Sequence, residues 1–377
     1  MKRLVVIIAG LIVSTAVVAQ TPRPFKVEKF ADMQAPLGVT FTPDGRMLVV
    51  EKAGRLFVIS KDGKKSDPIT EGLPTPDTSG QGGMSDVVVH PDFASNNMVY
   101  ISFTEAGDND TRGGAVGRGT LKLSGNGGSV ENYTVIWRQD PKVDGAGHFS
   151  QRMHFSPDGK YLFITSGERQ QGAPAQDLKV NLGKIIRLNP DGSIPEDNPF
   201  YDQGGRTAQI WSYGHRNLTG IDFDADGVLW ETEMGPMGGD ELNKIDEPGK
   251  NHGWPVVSNG NDYNGDVIPD HDTHPEFKKP VVWWNPSISP GGLLAYTGDM
   301  FPEWKGSFFL AGLSSMAIVR VSTRFGAVLS ETGRWDMGAR IRDLEQGPDG
   351  AIYALMDAGF GPNASGVGIL KLTPADK

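Results

Sequence analysis

A short turn of the Pro-Asp-Gly type, followed each time by alternating apolar residues, recurs along the chain and constrains its fold more than any other feature. It stands at Pro43-Asp44-Gly45 before MLVVEKAGRLFVI, at Pro157-Asp158-Gly159 before KYLFITSG and at Pro348-Asp349-Gly350 before AIYALMD. Asp224-Ala225-Asp226-Gly227 before VLWETE is a close variant. Two looser copies are His90-Pro91-Asp92-Phe93 before MVYISF, and Gly298-Asp299 with Phe301 before SFFLAGL. Proline pre-sets the first central position of a turn, and Asp and Gly tolerate the backbone that follows. The period-two alternation that comes next is strand-like.

Six such units predict an all-β chain: a six-bladed β-propeller with four-stranded antiparallel blades around a central channel. A generic sandwich could use similar hairpins, but the sixfold count favours the propeller. The 50 Gly and 26 Pro are spread along the sequence, which disfavours long helices. No Pro/Ser-rich linker or charge run marks a boundary, so residues 20–377 read as one domain despite their length. The uneven spacing of the repeats implies long inserted loops, where function tends to sit.

Residues 1–19 read as a secretory signal peptide. Lys2 and Arg3 precede an apolar run from Leu4 to Val18, and the small residues Val17 and Ala19 suit cleavage before Gln20. The run is short for a bilayer span, which needs roughly 20 apolar residues. No later stretch is long enough to span, so the expected location is periplasmic or secreted, with no membrane span in the mature form. Processing would take the formal net charge from −10 to −12 by removing Lys2 and Arg3. An acidic surface of this kind disfavours nucleic acid as a partner. The absence of cysteine excludes disulfides, thiolate metal sites and cysteine nucleophiles.

Phosphate loops, GxGxxG turns, HExxH and GxSxG motifs are missing, so a nucleotide cofactor has no obvious cradle. Asp222, Asp224, Asp226, Gly227 and Glu233 match the spacing of an EF-hand calcium loop. The flanks are β-formers and Gly rather than helices, so the stretch is read as a blade hairpin. Other polar clusters recur at a similar phase of the repeat: Gln81 in SGQGGMSD, His148 in GAGHFSQ, Arg216 and Asn217 in YGHRNL, the run 231–243, and Arg340 and Arg342 in ARIRDLE. Equivalent positions of different blades converge on one end of a propeller channel, so these residues are expected to share a pocket. It would offer a candidate base, His148, amides from Gln81 and Asn217, and guanidiniums from Arg216, Arg340 and Arg342. Arginine forks suit planar, multiply carboxylated anions. The carbonyls of Gly235 and Pro236 are hard ligands suited to calcium. For each residue a plain structural role competes: Arg342-Asp343 as a surface ion pair, His154 as packing, His215 as structural, and the Gly238-Gly239 turn as blade geometry.

Together the ordered motifs GQGG…HPDF, GHF…PDG…GE, YGHRN, E-x-GP-x-GGDELN, GKN-x-GWP and R-x-RD…GPDG resemble the soluble aldose sugar dehydrogenases, relatives of soluble PQQ glucose dehydrogenase. The likeness runs from about Phe30 to Leu372. It implies a six-bladed propeller that binds PQQ and calcium and oxidises the C1 hydroxyl of aldoses to lactones, passing electrons to an external acceptor. It implies His148 as the general base, oriented by Glu168, with Arg216 stabilising charge on the reduced quinone. Gln81, Arg216, Asn217, Arg340 and Arg342 match cofactor contacts. Gly235 and Pro236 match the carbonyls of the active-site calcium, and Glu241 with the His252 backbone oxygen matches a structural calcium position.

Two departures stand out. Met234 replaces a residue that is often His or Gln, and Ser314-Ser315 stand where a cofactor-binding lysine is expected. Both lead to the expectation of weakened PQQ binding. A calcium-dependent lactonase-type hydrolase and a non-catalytic carbohydrate-binding propeller, with Trp254, Trp283 and Trp284 stacking on sugar faces, are the alternatives.

Overall fold

The computed structural model describes residues 23–324, 328–357, 359 and 367–375; the leader read at residues 1–19 lies outside them. Six antiparallel sheets are present, one for each copy of the turn. The first contains Pro36–Phe41, Met47–Glu51 and Arg55–Ile59. The second contains Met84–Val89, Met98–Ala106, Arg112–Ser124 and Gly127–Arg138. Ser150–Phe155, Leu162–Ser166, Lys184–Leu188 and Ile210–Tyr213 form the third. Leu218–Phe223, Leu229–Glu233, Asp240–Lys244 and Val282–Trp284 form the fourth. Pro290–Ala295, Phe308–Gly312, Ala317–Arg324 and Val328–Asp336 form the fifth. The sixth runs Ile341–Gln346, Ile352–Met356, Gly368–Pro374 and, last, the N-terminal strand Phe25–Asp32.

The first strand of every blade packs against the first strands of both neighbours, which closes the ring and defines the channel. Every one of the six turns joins the innermost strand of a blade to its second strand. The aspartates earn that place by capping backbone: Asp158 Oδ1 accepts from the Lys160 amide at 3.2 Å, and Asp224 Oδ1 from the Asp226 and Val228 amides at 3.0 and 2.9 Å. The EF-hand-like run is the fourth of these hairpins, as its flanks predicted.

One blade departs from four strands. The first sheet has three, and its outer edge is marked only by single bridges from Ile59 to Lys65 and from Leu56 to Ile69. Ring closure is secured in the sixth blade, where Phe25–Asp32 pairs antiparallel with Gly368–Pro374. Phe25 then packs edge-on against Trp304 and Trp335, at ring separations of 5.9 and 5.5 Å. The apolar core lies between blade faces: Tyr100 and Val116 of the second blade, for example, meet Met153 and Ile164 of the third. Burial between sheets therefore stabilises the ring, and the channel is left for polar side chains.

Arg152 divides that channel. It lines both a cavity of about 320 Å³ at one mouth and one of about 360 Å³ at the other. Its Nη1 lies 2.7 Å from Asp343 Oδ2 and 3.6 Å from Asp86 Oδ1. Asp343 is thus the partner of Arg152 and not of Arg342, which corrects the surface-pair reading of the Arg342-Asp343 step.

Candidate active site

The polar clusters picked out from sequence meet at one mouth. Gln81, Asn217, Arg340 and Arg342 line the 320 Å³ cavity, together with Phe149, Ser150 and Met234. His148 is buried directly behind that wall, next to Phe149. It sits in a run of left-handed backbone: φ is +49° at His148, +62° at Ser150 and +70° at Gln151, and Arg169 and Gln170 across from it have φ of +62° and +60°. Such conformations in non-glycine residues cost energy and cluster at functional sites.

What over-determines this backbone is a set of buried hydrogen bonds. The His148 amide donates to Gln81 Oε1 at 2.8 Å, and the Gln81 amide donates to the Ala146 carbonyl at 2.8 Å. Arg169 is fully buried; its Nε donates to the Gly147 carbonyl at 2.8 Å and its Nη2 to the Gly145 carbonyl at 2.7 Å. The same guanidinium stacks over the Phe149 ring at 3.8 Å.

His148 Nδ1 is hydrogen-bonded to Glu168 Oε1. That contact fixes the tautomer, with the proton on Nδ1 and the lone pair on Nε2. Glu168 is held in turn by the Gln170 amide at 3.0 Å, and its own amide donates to the Arg216 carbonyl at 2.9 Å. Burial lowers the His148 pKa below its ordinary value, against the opposing pull of Glu168. For Glu168, burial acts upward, but the hydrogen bond from His148 and other contacts bring it below the usual glutamate value. The pair is therefore neutral imidazole beside carboxylate, the state a base requires.

Arg216 is almost fully buried. Its Nη1 donates to the carbonyls of Met234 and Gly235 at 2.9 and 2.7 Å, and its Nη2 to the Tyr263 hydroxyl at 3.3 Å. Trp254 and Tyr263 flank it at 5.1 and 5.7 Å. Asn217 Nδ2 reaches only the Met234 thioether, at 3.5 Å, a weak acceptor. Gly235 allows the turn here, because a Cβ would come within 2.2 Å of the Gly238 carbonyl oxygen. Asp240 pins that turn by accepting from the Gly235 amide at 2.9 Å, while its other oxygen accepts from the Ile288 and Ser289 amides of the next blade.

Arg340 and Arg342 are both tied to Asp357, Arg340 Nε at 3.0 Å and Arg342 Nε at 2.7 Å. Sequence reasoning missed Asp357, which follows the last inner hairpin without any motif. It also missed Lys52. Lys52 lines the cavity and donates from Nζ to the Gly80 carbonyl at 2.5 Å. Burial, and then Arg342, depress its pKa. A lysine of the first blade therefore stands at the mouth, while at the position where one was expected Ser314 Oγ is turned to the Ser287 carbonyl at 3.4 Å.

Glu241 and His252 also come together. Both line a void of about 10 Å³, along with Glu233 and His271. His271, another residue the sequence did not flag, bonds from Nε2 to the His252 carbonyl at 3.1 Å. Of the tryptophans, Trp254 lies beside Arg216, Trp283 is exposed, and Trp284 is core, donating to Glu331 at 2.8 Å. His154 faces the opposite mouth, 3.2 Å from Asp222.

A propeller whose channel mouth gathers a carboxylate-oriented histidine and a group of cations matches a known family over most of its length. The model of the Glucose / Sorbosone dehydrogenase family covers residues 33–365. The chain belongs to the glucose/sorbosone dehydrogenase family. It is 38% identical over 361 residues to aldose sugar dehydrogenase YliI of Escherichia coli, covering 94% of each protein. The crystal structure of the apo-form soluble aldose sugar dehydrogenase from Escherichia coli superposes with a TM-score of 0.85 at 36% identity, covering 93% of this chain and 100% of that one. The aldose sugar dehydrogenase of Streptomyces coelicolor, solved in a PQQ-bound form, gives a TM-score of 0.75 at 28% identity, with coverage of 93% and 99%. Membership places this chain among oxidoreductases with the six-bladed fold. Among the described residues no helix is long and apolar enough to cross a membrane.

Proposed function

We propose that this protein oxidises aldose sugars at the C1 hydroxyl to the lactone, with PQQ and calcium, and with His148 as general base. The observation that carries the reading is the His148–Glu168 pair set immediately behind a cavity walled by Lys52, Arg340 and Arg342.

The cavity chemistry fits a carboxylated quinone. Its volume lies at the lower end of the range for small-molecule pockets, about 300–1,000 Å³. Of the four cations on the wall, Arg152 is matched by Asp343, and Lys52, Arg340 and Arg342 against one carboxylate, Asp357, leave a net positive surface for an anion. Gln81 and Asn217 add amide groups at the rim, and Arg216 stands behind Met234. For calcium, the carbonyls of Gly235 and Pro236 are the candidate ligands at the cofactor, and Glu241 with the His252 carbonyl is the candidate second position. When bound, PQQ supplies the two-electron acceptor and calcium a Lewis acid that polarises it.

The chain's own groups do the rest. Glu168 holds the Nδ1 proton, so Nε2 of His148 is free to take the C1 hydroxyl proton as C1 gives up hydride. Removal of that proton by a placed base is worth about 10²–10⁴ in rate. Arg216, buried beside Trp254 and behind the cavity residue Met234, would stabilise developing negative charge. A hydrolase reading would want several carboxylates at this mouth; among the described cavity residues the one present, Asp357, is already committed to two arginines.

Export after cleavage behind Ala19, and delivery of electrons to an external acceptor, belong to the same proposal. Its direct test is chemical. Glucose deuterated at C1 should give a primary isotope effect and gluconolactone as the product. A hydrolytic product, or no isotope effect under single-turnover conditions, would overturn it.

A further inference from the structure

Lys184 opens the Lys184–Leu188 strand of the third blade, and its side chain is fully buried. The chemistry described above makes no use of it. Its Nζ donates to three backbone carbonyls, those of Pro174 at 2.8 Å, Ala175 at 3.0 Å and Leu182 at 2.6 Å. An ammonium has three N–H donors, and here each has its own acceptor. Burying such a group is costly, so the place calls for what an ammonium alone supplies, three donors diverging from one point. A glutamine amide would reach at most two of these carbonyls, and a buried carbonyl left without a donor is destabilising.

The three carbonyls belong to the connection at residues 167–183, which leads from the second strand of the third blade to the third. Its regular structure is one short 3₁₀ turn, Ala173–Gln176. The connection carries Glu168 at its start and folds back onto it. The Gly172 amide donates to Glu168 Oε2, and the Gly172 carbonyl accepts from the Ala175 amide at 3.0 Å. Ala175 is held by Lys184, so a single turn of backbone separates the ammonium from the carboxylate that orients His148.

A second branch leads to the neighbouring segment. The Ala175 carbonyl also accepts from the Gly214 amide at 3.0 Å, two residues before Arg216. Gly183 is packed into the same joint: a Cβ there would stand 2.6 Å from the His215 carbonyl oxygen and 2.7 Å from Ala175 Cβ.

We propose that Lys184 is a positioning residue, whose ammonium locks the backbone of residues 172–182 and thereby holds the Gly172 amide on Glu168. Both oxygens of Glu168 are then engaged, Oε1 by His148 and the Gln170 amide, and Oε2 by Gly172. Without the clamp Oε2 loses its donor, and the carboxylate is free to turn away from the imidazole. Burial lowers the His148 pKa, Arg216 and Arg169 lower it further, and Glu168 alone pulls it up. Loosening Glu168 therefore moves the His148 titration to lower pH. The kinetic consequence rests on the reading of His148 as the base; the link from Lys184 to Glu168 does not.

The test compares the full wild-type protein with Lys184→Gln. Hydrogen exchange, followed by mass spectrometry on cofactor-free protein, should find the peptide carrying Gly172 protected in wild type. In the variant it should exchange at least about tenfold faster, with the sixth-blade strand Ile352–Met356 unchanged. Imidazole nitrogen NMR of the same samples should show His148 titrating at lower pH in the variant, the direction expected for Glu168→Gln. With PQQ and calcium, kcat on glucose should fall by up to about 10²-fold, with little change in KM. Absence of turnover in wild type would fault the functional reading alone, because exchange and titration are read without substrate. A Lys184→Gln protein with Gly172 still protected and His148 unmoved would overturn the clamp. So would a wild type in which the Gly172 peptide exchanges freely. A variant that unfolds, or loses protection alike in every blade, would also overturn it, since Lys184 would then serve the fold at large.

Discussion

The guanidinium of Arg216 donates through Nη1 to the backbone carbonyl of Gly235 at 2.7 Å. This is one of the two carbonyls that the proposed cofactor-site calcium would use, so a cation already sits on the calcium's ligand. Arg216 and such an ion would therefore compete for, or share, one oxygen.

Arg216→Gln should accordingly have opposite effects on two ligands. Removing the positive charge should tighten calcium binding to cofactor-free protein. It should also lower kcat/KM by about 10²–10³, the usual cost of losing one preorganised charge-stabilising donor. Calorimetry with calcium alone and steady-state kinetics with the reconstituted enzyme read the two effects separately. Unchanged calcium affinity would show that the Gly235 carbonyl is not a ligand.

As the proposed base, His148 would set the pH dependence. The base works unprotonated, and burial holds its pKa below the ordinary 6.5. The acid limb of kcat/KM should therefore fall below pH 6.5, with activity lost as pH drops through it. Glu168 pulls the His148 pKa upward, so Glu168→Gln should shift the limb to still lower pH while reducing the rate about 10²–10⁴ through loss of the fixed tautomer. Glu168→Asp should recover part of the rate. A pH–rate series of the three proteins checks all of this.

Lys52 supplies a cation to the cavity from the first blade, away from the Ser314-Ser315 segment where a lysine was expected. Lys52→Met removes a partly buried cation from the cavity wall and should weaken PQQ binding by about 1.5–3 kcal/mol, the worth of a charge-assisted hydrogen bond. Saturating PQQ should restore most of kcat. Fluorescence titration of the apo-protein gives the affinity; equal affinities would remove Lys52 from the site.

Arg152 carries the stability of the channel. Burial raises the Asp86 pKa to about 7 and raises that of Asp343 too, so both carboxylates rely on this guanidinium for their charged forms. Arg152→Met should cost about 3–5 kcal/mol by leaving buried charge uncompensated. Adding Asp343→Asn should return part of it. Urea denaturation of the single and double variants tests the coupling.

Much of the fold was legible because each inner hairpin carries its own turn chemistry, and Asp44, Asp158, Asp224 and Asp349 advertise it. The site was legible where a motif marks a blade entrance, as at His148, Arg216 and Arg342. Lys52 escaped because the Glu51-Lys52-Ala53-Gly54 step reads as an ordinary exposed turn. Its place at the mouth comes from ring closure, which joins the first and sixth blades in space. Asp357 and His271 escaped for a related reason: each acts through a partner distant in sequence, Arg342 or the His252 carbonyl, with no fixed spacing to betray it. The abbreviated first blade was invisible because a missing outer strand leaves the turn periodicity intact.

The central claim is most directly tested by dye reduction with glucose, comparing apo-protein, protein with PQQ plus calcium, and His148→Ala under the same conditions. Activity should require both additions and fall about 10²–10⁴ in the variant. Robust activity in His148→Ala, or none in wild type once PQQ binding has been demonstrated by titration, would contradict it.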